Sequence, residues 1–342
     1  MELRRKLRTL GLLTYVAVVV GLLVYSRVRA YSLAPTITPK TLSGLPWFMV
    51  PLVFLADYAS HAWICLLFAF TAAGLIYEFM PKQAVIRVMS SRSILGYVVA
   101  VSLAPMFTVC SCTMIPIFAG IVYAGAGIGP AIAFLLMAPA ANVLTLIVTG
   151  EFLYWEIVWV RLFASFVTAV LTGLVVSYTP WGRAVDRQAS SKSSPAGPVD
   201  TAKPPLDVRL LDALKFSGFL AKRIIPFFLV GLLAVSYFEA YMPESVVQLY
   251  LTGPLGVLIA SVIGGPLYTP TLVEIVIARG LLDLGMSKGA LLAWLMGQPY
   301  DIPNMMAVSR VVKWQIVATY AVLAFLCSFG FGMLYGVLSG SL

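Results

Sequence analysis

From residue 52 to residue 338 the chain is a succession of apolar runs, and runs of this length leave a lipid bilayer as the only compatible solvent. They cover 52–80, 94–109, 113–124, 128–149, 153–178, 220–242, 247–264, 269–282, 287–309 and 313–338. A spanning helix needs about 20 mostly apolar residues. Hydrophobic residues make up 61% and charged residues 11% of the 342, against roughly 45–50% and 25% in a soluble domain; mean hydropathy is +0.95. These runs predict an all-α polytopic membrane protein with about 8–11 membrane helices.

The formal charge of +9 would suggest nucleic-acid binding in a soluble protein. Here it reflects basic residues flanking helices on the cytoplasmic side, so no nucleic-acid partner is expected. Glu2-Leu-Arg-Arg-Lys-Leu-Arg8 precedes an apolar stretch at Leu10–Tyr25, which reads as an uncleaved anchor helix with a cytoplasmic N-terminus. Lys82, Arg87 and Arg92 flank one loop, basic residues from Arg183 to Arg223 crowd another region, and Arg310 and Lys313 mark a third. The loops near Glu151–Glu156 and at Glu244 are acidic. If 94–124 and 247–282 each enter and leave on one side, every one of these basic loops falls inside and both acidic loops outside. The loop with Arg27, Arg29 and Lys40 is the one misfit.

Proline and polar residues interrupt the apolar pattern at two places. Pro105 to Asn142 contains Cys110-Ser-Cys112, Pro116 and Met137-Ala-Pro139-Ala-Ala-Asn142. Helix breakers at membrane depth persist where protein or a water-filled cavity satisfies the freed backbone. The second place, around Gly264–Asn304, contains Pro270, Glu274, Pro299, Asp301 and Asn304. The two halves also match in sequence. Tyr77-Glu-Phe-Met-Pro81 resembles Phe238-Glu-Ala-Tyr-Met-Pro243, Gly129 to Pro139 aligns with Gly289 to Pro299, and Trp155-Glu-Ile-Val158 with Trp314-Gln-Ile-Val317. This predicts an N-terminal anchor helix and loop over 1–45, a first repeat over 46–179, a flexible cytoplasmic linker over 180–214 and a second repeat over 215–342. An odd number of crossings per repeat makes the second copy inverted, each copy holding a broken helical hairpin. Many secondary transporters share that architecture, with their site near the midplane.

Several residues could carry chemistry there. Cys110 and Cys112 can converge on one soft ion or thiophilic centre, or be small packing residues. Pro116, Pro139, Pro270 and Pro299 would keep helices broken. An asparagine follows the late proline in each repeat, Asn142 and Asn304, and with Asp301 these could bind an ion or polar solute; the bland alternative is that the asparagines only patch their kinks. Glu274 and Asp301 are candidate proton carriers, with His61, the only histidine, a third. No phosphate-binding loop, catalytic carboxylate pair or nucleophile with a base is present in the sequence, so neither an enzyme nor a cofactor is expected.

The segments Cys110-Ser-Cys-Thr-Met-Ile-Pro116, Gly129-Pro-Ala-Ile-Ala-Phe134 and Ala138-Pro-Ala-Ala-Asn142 resemble a family of bacterial and archaeal predicted permeases that includes the organoarsenical (methylarsenite) efflux permeases. The resemblance runs from about Phe54 to the C-terminus. It implies a multi-spanning permease in the cell membrane, with a small molecule or ion as substrate and Cys110 and Cys112 as thiol ligands. The expected activity is efflux of a soft solute such as trivalent (organo)arsenic, and hence arsenic resistance. The alternatives are a permease for a sulfur compound, metal ion or small anion with structural cysteines, and a membrane thiol-redox component. Homo-oligomerisation stays open.

Overall fold

A computed structural model describes residues 10–22, 24–25, 46–79, 86, 88–106, 111–192, 205–241, 252–265, 271–283 and 285–342. Among them the chain is all-α. Helix α1 is the apolar Leu10–Leu22. The first half continues with α2 (Val50–Phe79), α3 (Ile94–Leu103, closed by a 3-10 turn at Ala104–Met106), α4 (Ser111–Tyr123), α5 (Ile128–Ala140), α6 (Val143–Phe152), α7 (Trp155–Tyr178) and α8 (Pro180–Lys192). The second half holds α9 (Leu206–Tyr241), α10 (Gly253–Gly264), α11 (Thr271–Asp283), α12 (Lys288–Leu295), a 3-10 turn at Gln298–Tyr300, α13 (Ile302–Val308) and α14 (Trp314–Leu338). Four stretches among the described residues are long and apolar enough to cross a membrane: Ile128–Phe152, Trp155–Tyr178, Leu206–Leu233 and Trp314–Leu338. The protein is therefore a polytopic membrane protein.

The order of elements recurs, with α2 to α7 followed by α9 to α14 in the same sequence of long and short helices. Packing recurs too. Helix α5 lies against α7 as α12 lies against α14, and α3 against α5 as α10 against α12. Across the halves, α4 packs on α13 while α11 packs on α6, and α7 packs on α14. Glycines permit the closest approaches. A Cβ on Gly173 would stand 2.6 Å from the Gly129 carbonyl oxygen, and one on Gly289 would stand 2.5 Å from that of Gly332. Small residues at such crossings let helix backbones touch where lipid supplies no hydrophobic drive.

The polar segment 180–214 contains more helix than its composition suggests. Pro180–Lys192 is helical and α9 begins at Leu206, well before the apolar run at 220. Helix α9 is amphipathic at its start. Leu210, Ala213 and Leu220 are buried, while Lys215 and Asp212 pair on the exposed face at 3.1 Å. Averaged hydropathy hides such a helix because only one face is apolar. Ser217 donates to the Phe70 carbonyl at 2.7 Å, and Arg209 pairs with Glu78 at 3.3 Å, which fastens the start of α9 to the end of α2.

Contacts sort the helix ends into two groups. At one end Tyr335 donates to Glu156 at 3.0 Å, Lys288 lies 3.8 Å from the same carboxylate, and Arg279 donates to the Phe152 carbonyl at 3.3 Å. At the other, the Ile128 N–H donates to Asp186 at 2.8 Å, and Tyr97 donates to Ser177 at 3.0 Å. Burial pushes the Asp186 carboxyl above its usual range, against the Ile128 and Ser91 hydrogen bonds that favour its charge.

Candidate functional site

Two helical segments, Ile128–Phe152 and Lys288–Val308, are broken near their middles, and each break is built from local chemistry. In the first, Pro139 lies near the end of α5. It has no N–H for the carbonyl four residues back. Ala141 leaves the helical region at φ −144°, ψ 41°, and Asn142 restarts the chain as the N-cap of α6, its side chain accepting from the Thr145 N–H at 2.8 Å. Asparagine is a preferred N-cap because its side-chain oxygen satisfies an N–H that the helix cannot. Asn142→Ala is expected to lose about 0.5–2 kcal/mol of stability, measurable by thermal unfolding in detergent; an unchanged midpoint would mean that another group caps α6.

In the second break, Pro299 sits in the 298–300 turn and Asp301 is the N-cap of α13. Its side chain accepts from the Asn304 N–H at 2.7 Å and from the Asn304 side-chain amide. The cap equivalent to Asn142 is thus Asp301, although the sequence suggested pairing Asn142 with Asn304. A cap is the residue that starts the helix, and α13 starts one residue earlier relative to its proline than α6 does. Both Asp301 and Asn304 are buried, 1% and 5% exposed.

The residue that joins these breaks was missed by sequence reasoning. Arg161 lies on α7 and is 0% exposed. Its Nε donates to the Ala140 carbonyl of the first break at 2.7 Å, Nη1 to the Thr149 hydroxyl at 3.3 Å and Nη2 to Glu274 Oε2 at 3.3 Å. Glu274 stands in the first turn of α11, in the other half of the chain, and is 1% exposed. Gln298, from the turn of the second break, lies beside it, and α5 packs directly on that turn. A signal was present: Arg161 is the lone charge inside the run 153–178 other than Glu156 at its edge. An arginine at membrane depth costs roughly 2.5–3.5 kcal/mol on insertion scales, so it marks function by default.

Among the described residues, Glu274 Oε1, Thr145 Oγ1 beside the first break and Asn304 Oδ1 beside the second are buried polar atoms without a hydrogen-bond partner. Unsatisfied buried groups are costly, so each marks a place where something else completes it. Beside the second break a cleft of about 260 Å³ is lined by Val262, Tyr300, Met305 and Phe325 among others; its walls are too apolar to serve a polar solute.

Pro116 is inside α4 and buried. Cys110 and Pro270 lie outside the described residues, as do the side chains of Cys112, in α4, and His61, in α2. Cys327 is a free, half-buried thiol on α14. Among the described residues no group of three or more His, Cys, Asp or Glu side chains could hold a metal ion.

Comparison with known proteins gives a consistent picture. The model of a family described as predicted permease, ArsP_1, matches residues 49–337. The UPF0718 protein MJ0584 of Methanocaldococcus jannaschii is 28% identical over 334 residues, covering 80% of this chain and 92% of the relative. No solved structure matches.

Proposed function

Because the chain belongs to this predicted-permease family, we propose that it is a secondary transporter which exports a soft, thiol-reactive solute, such as trivalent (organo)arsenic, through a site between its two broken segments. The observation that carries this reading is the Arg161–Glu274 contact at 3.3 Å. It ties the carbonyl freed at one break to the hairpin of the other half, next to the turn of the other break. Asn142, Asp301 and Asn304 line this crossing, and Cys110 with Cys112 would bind the solute.

Helix pairing supports placing the thiols there. Glu274 opens α11, and α11 packs on α6 beside the first break. Its counterpart α4 opens with Ser111-Cys112 and packs on α13, which starts the second break. Cys112 thus belongs to the helix that serves Asp301 as α11 serves Asn142. Inverted repeats would let one half move against the other for alternating access. The protein would lie in the cell membrane with its N-terminus and the 180–214 segment in the cytoplasm.

A second reading has one observation in its favour. Arg161 offers a guanidinium fork suited to oxyanions, so a small sulfur oxyanion is the alternative solute, with the cysteines as packing. Thermal stability of the purified protein separates the two. A ligand of the folded state adds about 2.7 kcal/mol at a hundredfold excess over its Kd. Methylarsenite, arsenite, soft metal ions and thiosulfate would be titrated against wild type and the Cys110→Ser/Cys112→Ser variant. A shift with methylarsenite that disappears in the variant is expected. A shift that persists in the variant, or arises with thiosulfate alone, would discard the thiol site and leave the oxyanion reading.

A further inference from the structure

Helix α8 follows the spanning helix α7 after one residue, Thr179, so it starts where α7 leaves the bilayer. Tyr178 and Trp181 stand exposed at this end of α7, and Trp155 and Trp159 at the other, as in the aromatic belts that mark the two membrane surfaces. Helix α8 is fastened with one face inward. A Cβ on Gly182 would overlap the Val176 carbonyl oxygen. Asp186, the one carboxylate of residues 180–192, accepts from the Ile128 N–H at 2.8 Å. Pro180, Arg183, Ala184 and Arg187 recur at the three- and four-residue spacing of a single helix face, and these four line a cleft of about 300 Å³.

Two cations share this cleft without a protein anion to answer them. Arg183 and Arg187 are exposed, and neither pairs with a carboxylate among the described residues. Arg183 is held in place. Its Nε and Nη2 both donate to the Tyr178 carbonyl, at 3.1 and 2.9 Å. That carbonyl belongs to the last turn of α7, whose acceptors have no helical donor; the Gly182 N–H four residues on goes to the Thr179 hydroxyl instead. Nη1 of Arg183 is left over, pointing the fixed guanidinium at a further acceptor. Like charges four residues apart on a helix repel, so an anion seated between Arg183 and Arg187 removes a repulsion as well as adding contacts.

We propose that the α8 cleft binds the headgroup of an anionic phospholipid, with the phosphodiester between Arg183 and Arg187. A guanidinium presents its N–H groups as a fork matched to two phosphate oxygens. Net negative charge is needed, since a zwitterionic lipid brings its own cation to the same place. The occupant is a lipid and not a soluble anion. Both arginines are exposed, so a free ion would compete with water for them, whereas the bilayer presents headgroups beside α8 at high local concentration. Basic clusters directly outside a spanning helix recognise anionic headgroups in this way. The site needs only a bilayer around α7 and does not depend on which solute is carried.

The test is native mass spectrometry of the full chain in detergent, titrated with phosphatidylglycerol or phosphatidylcholine at constant ionic strength. Wild type is expected to bind phosphatidylglycerol more tightly than phosphatidylcholine, and to keep it in the presence of equimolar inorganic phosphate. A basic residue at a membrane surface is worth about fivefold in affinity for anionic lipid. Arg187→Gln should therefore weaken phosphatidylglycerol binding about fivefold and Arg183→Gln/Arg187→Gln about twenty-five-fold, with phosphatidylcholine unaffected. Arg183 also holds the end of α7, so Arg187→Gln decides alone if the double variant does not fold. Lys215→Gln, which removes an exposed charge paired with Asp212 on α9, should change nothing. Equal affinity for the two lipids, or unchanged phosphatidylglycerol binding by Arg187→Gln, overturns the site. An equal fall in Lys215→Gln does so too, since net charge alone would then attract the lipid. Displacement by inorganic phosphate would make the cleft a soluble-anion site and overturn the lipid assignment.

Discussion

Arg161→Met is expected to destabilise the protein by about 3–5 kcal/mol, because it leaves Glu274 as a buried charge with no partner. The substitution also removes the donors to the Ala140 carbonyl and the Thr149 hydroxyl. The companion Arg161→Met/Glu274→Leu should recover most of that loss, since replacing both members of a buried pair by apolar side chains is often neutral or better. Arg161→Lys should be intermediate, as it keeps the charge but loses the fork that serves three acceptors. Chemical unfolding in detergent reads the stabilities, and proteoliposome uptake reads transport. Stability and transport are expected to separate: the double apolar variant should fold and fail to transport. A double variant that transports would show that the pair only holds the halves together.

Gly332→Leu is expected to abolish folded protein, whereas Gly330→Ala, on the same helix, should be neutral or stabilising by up to about 1 kcal/mol. A Cβ on Gly332 would stand 2.8 Å from Val257 Cγ1 and 2.9 Å from both Ala293 Cβ and the Gly289 carbonyl oxygen; a Cβ on Gly330 meets nothing within 4 Å. Backbone cannot yield as a flexible side chain can, so overpacking at Gly332 should exceed the roughly 1–3 kcal/mol typical of cores. Size-exclusion chromatography after graded heating distinguishes the two. Equal behaviour would mean that α12 and α14 are not in contact at this seam.

What hydropathy and proline chemistry could say by themselves was the solvent, the all-α class and where the helices bend. Both are local properties: twenty apolar residues require lipid wherever they fold, and Pro139 and Pro299 remove a backbone donor in any helix. The sequence also carried the motifs by which the chain resembles predicted permeases. The start of α9 was not legible, because only the face holding Leu210 and Ala213 is apolar and its docking on α2 makes it a helix in place. Nor was the capping role of Asp301, which depends on the residue at which α13 begins, a choice made when the 298–300 turn packs against α5. Above all, tertiary structure decided the partner of Arg161. Its charge was visible in the run 153–178, yet Glu274 lies 113 residues away. Only the packing of α11 on α6, across the two halves, brings the carboxylate to the guanidinium, because a buried charge takes the partner that the fold delivers and sequence separation does not reveal which one that is.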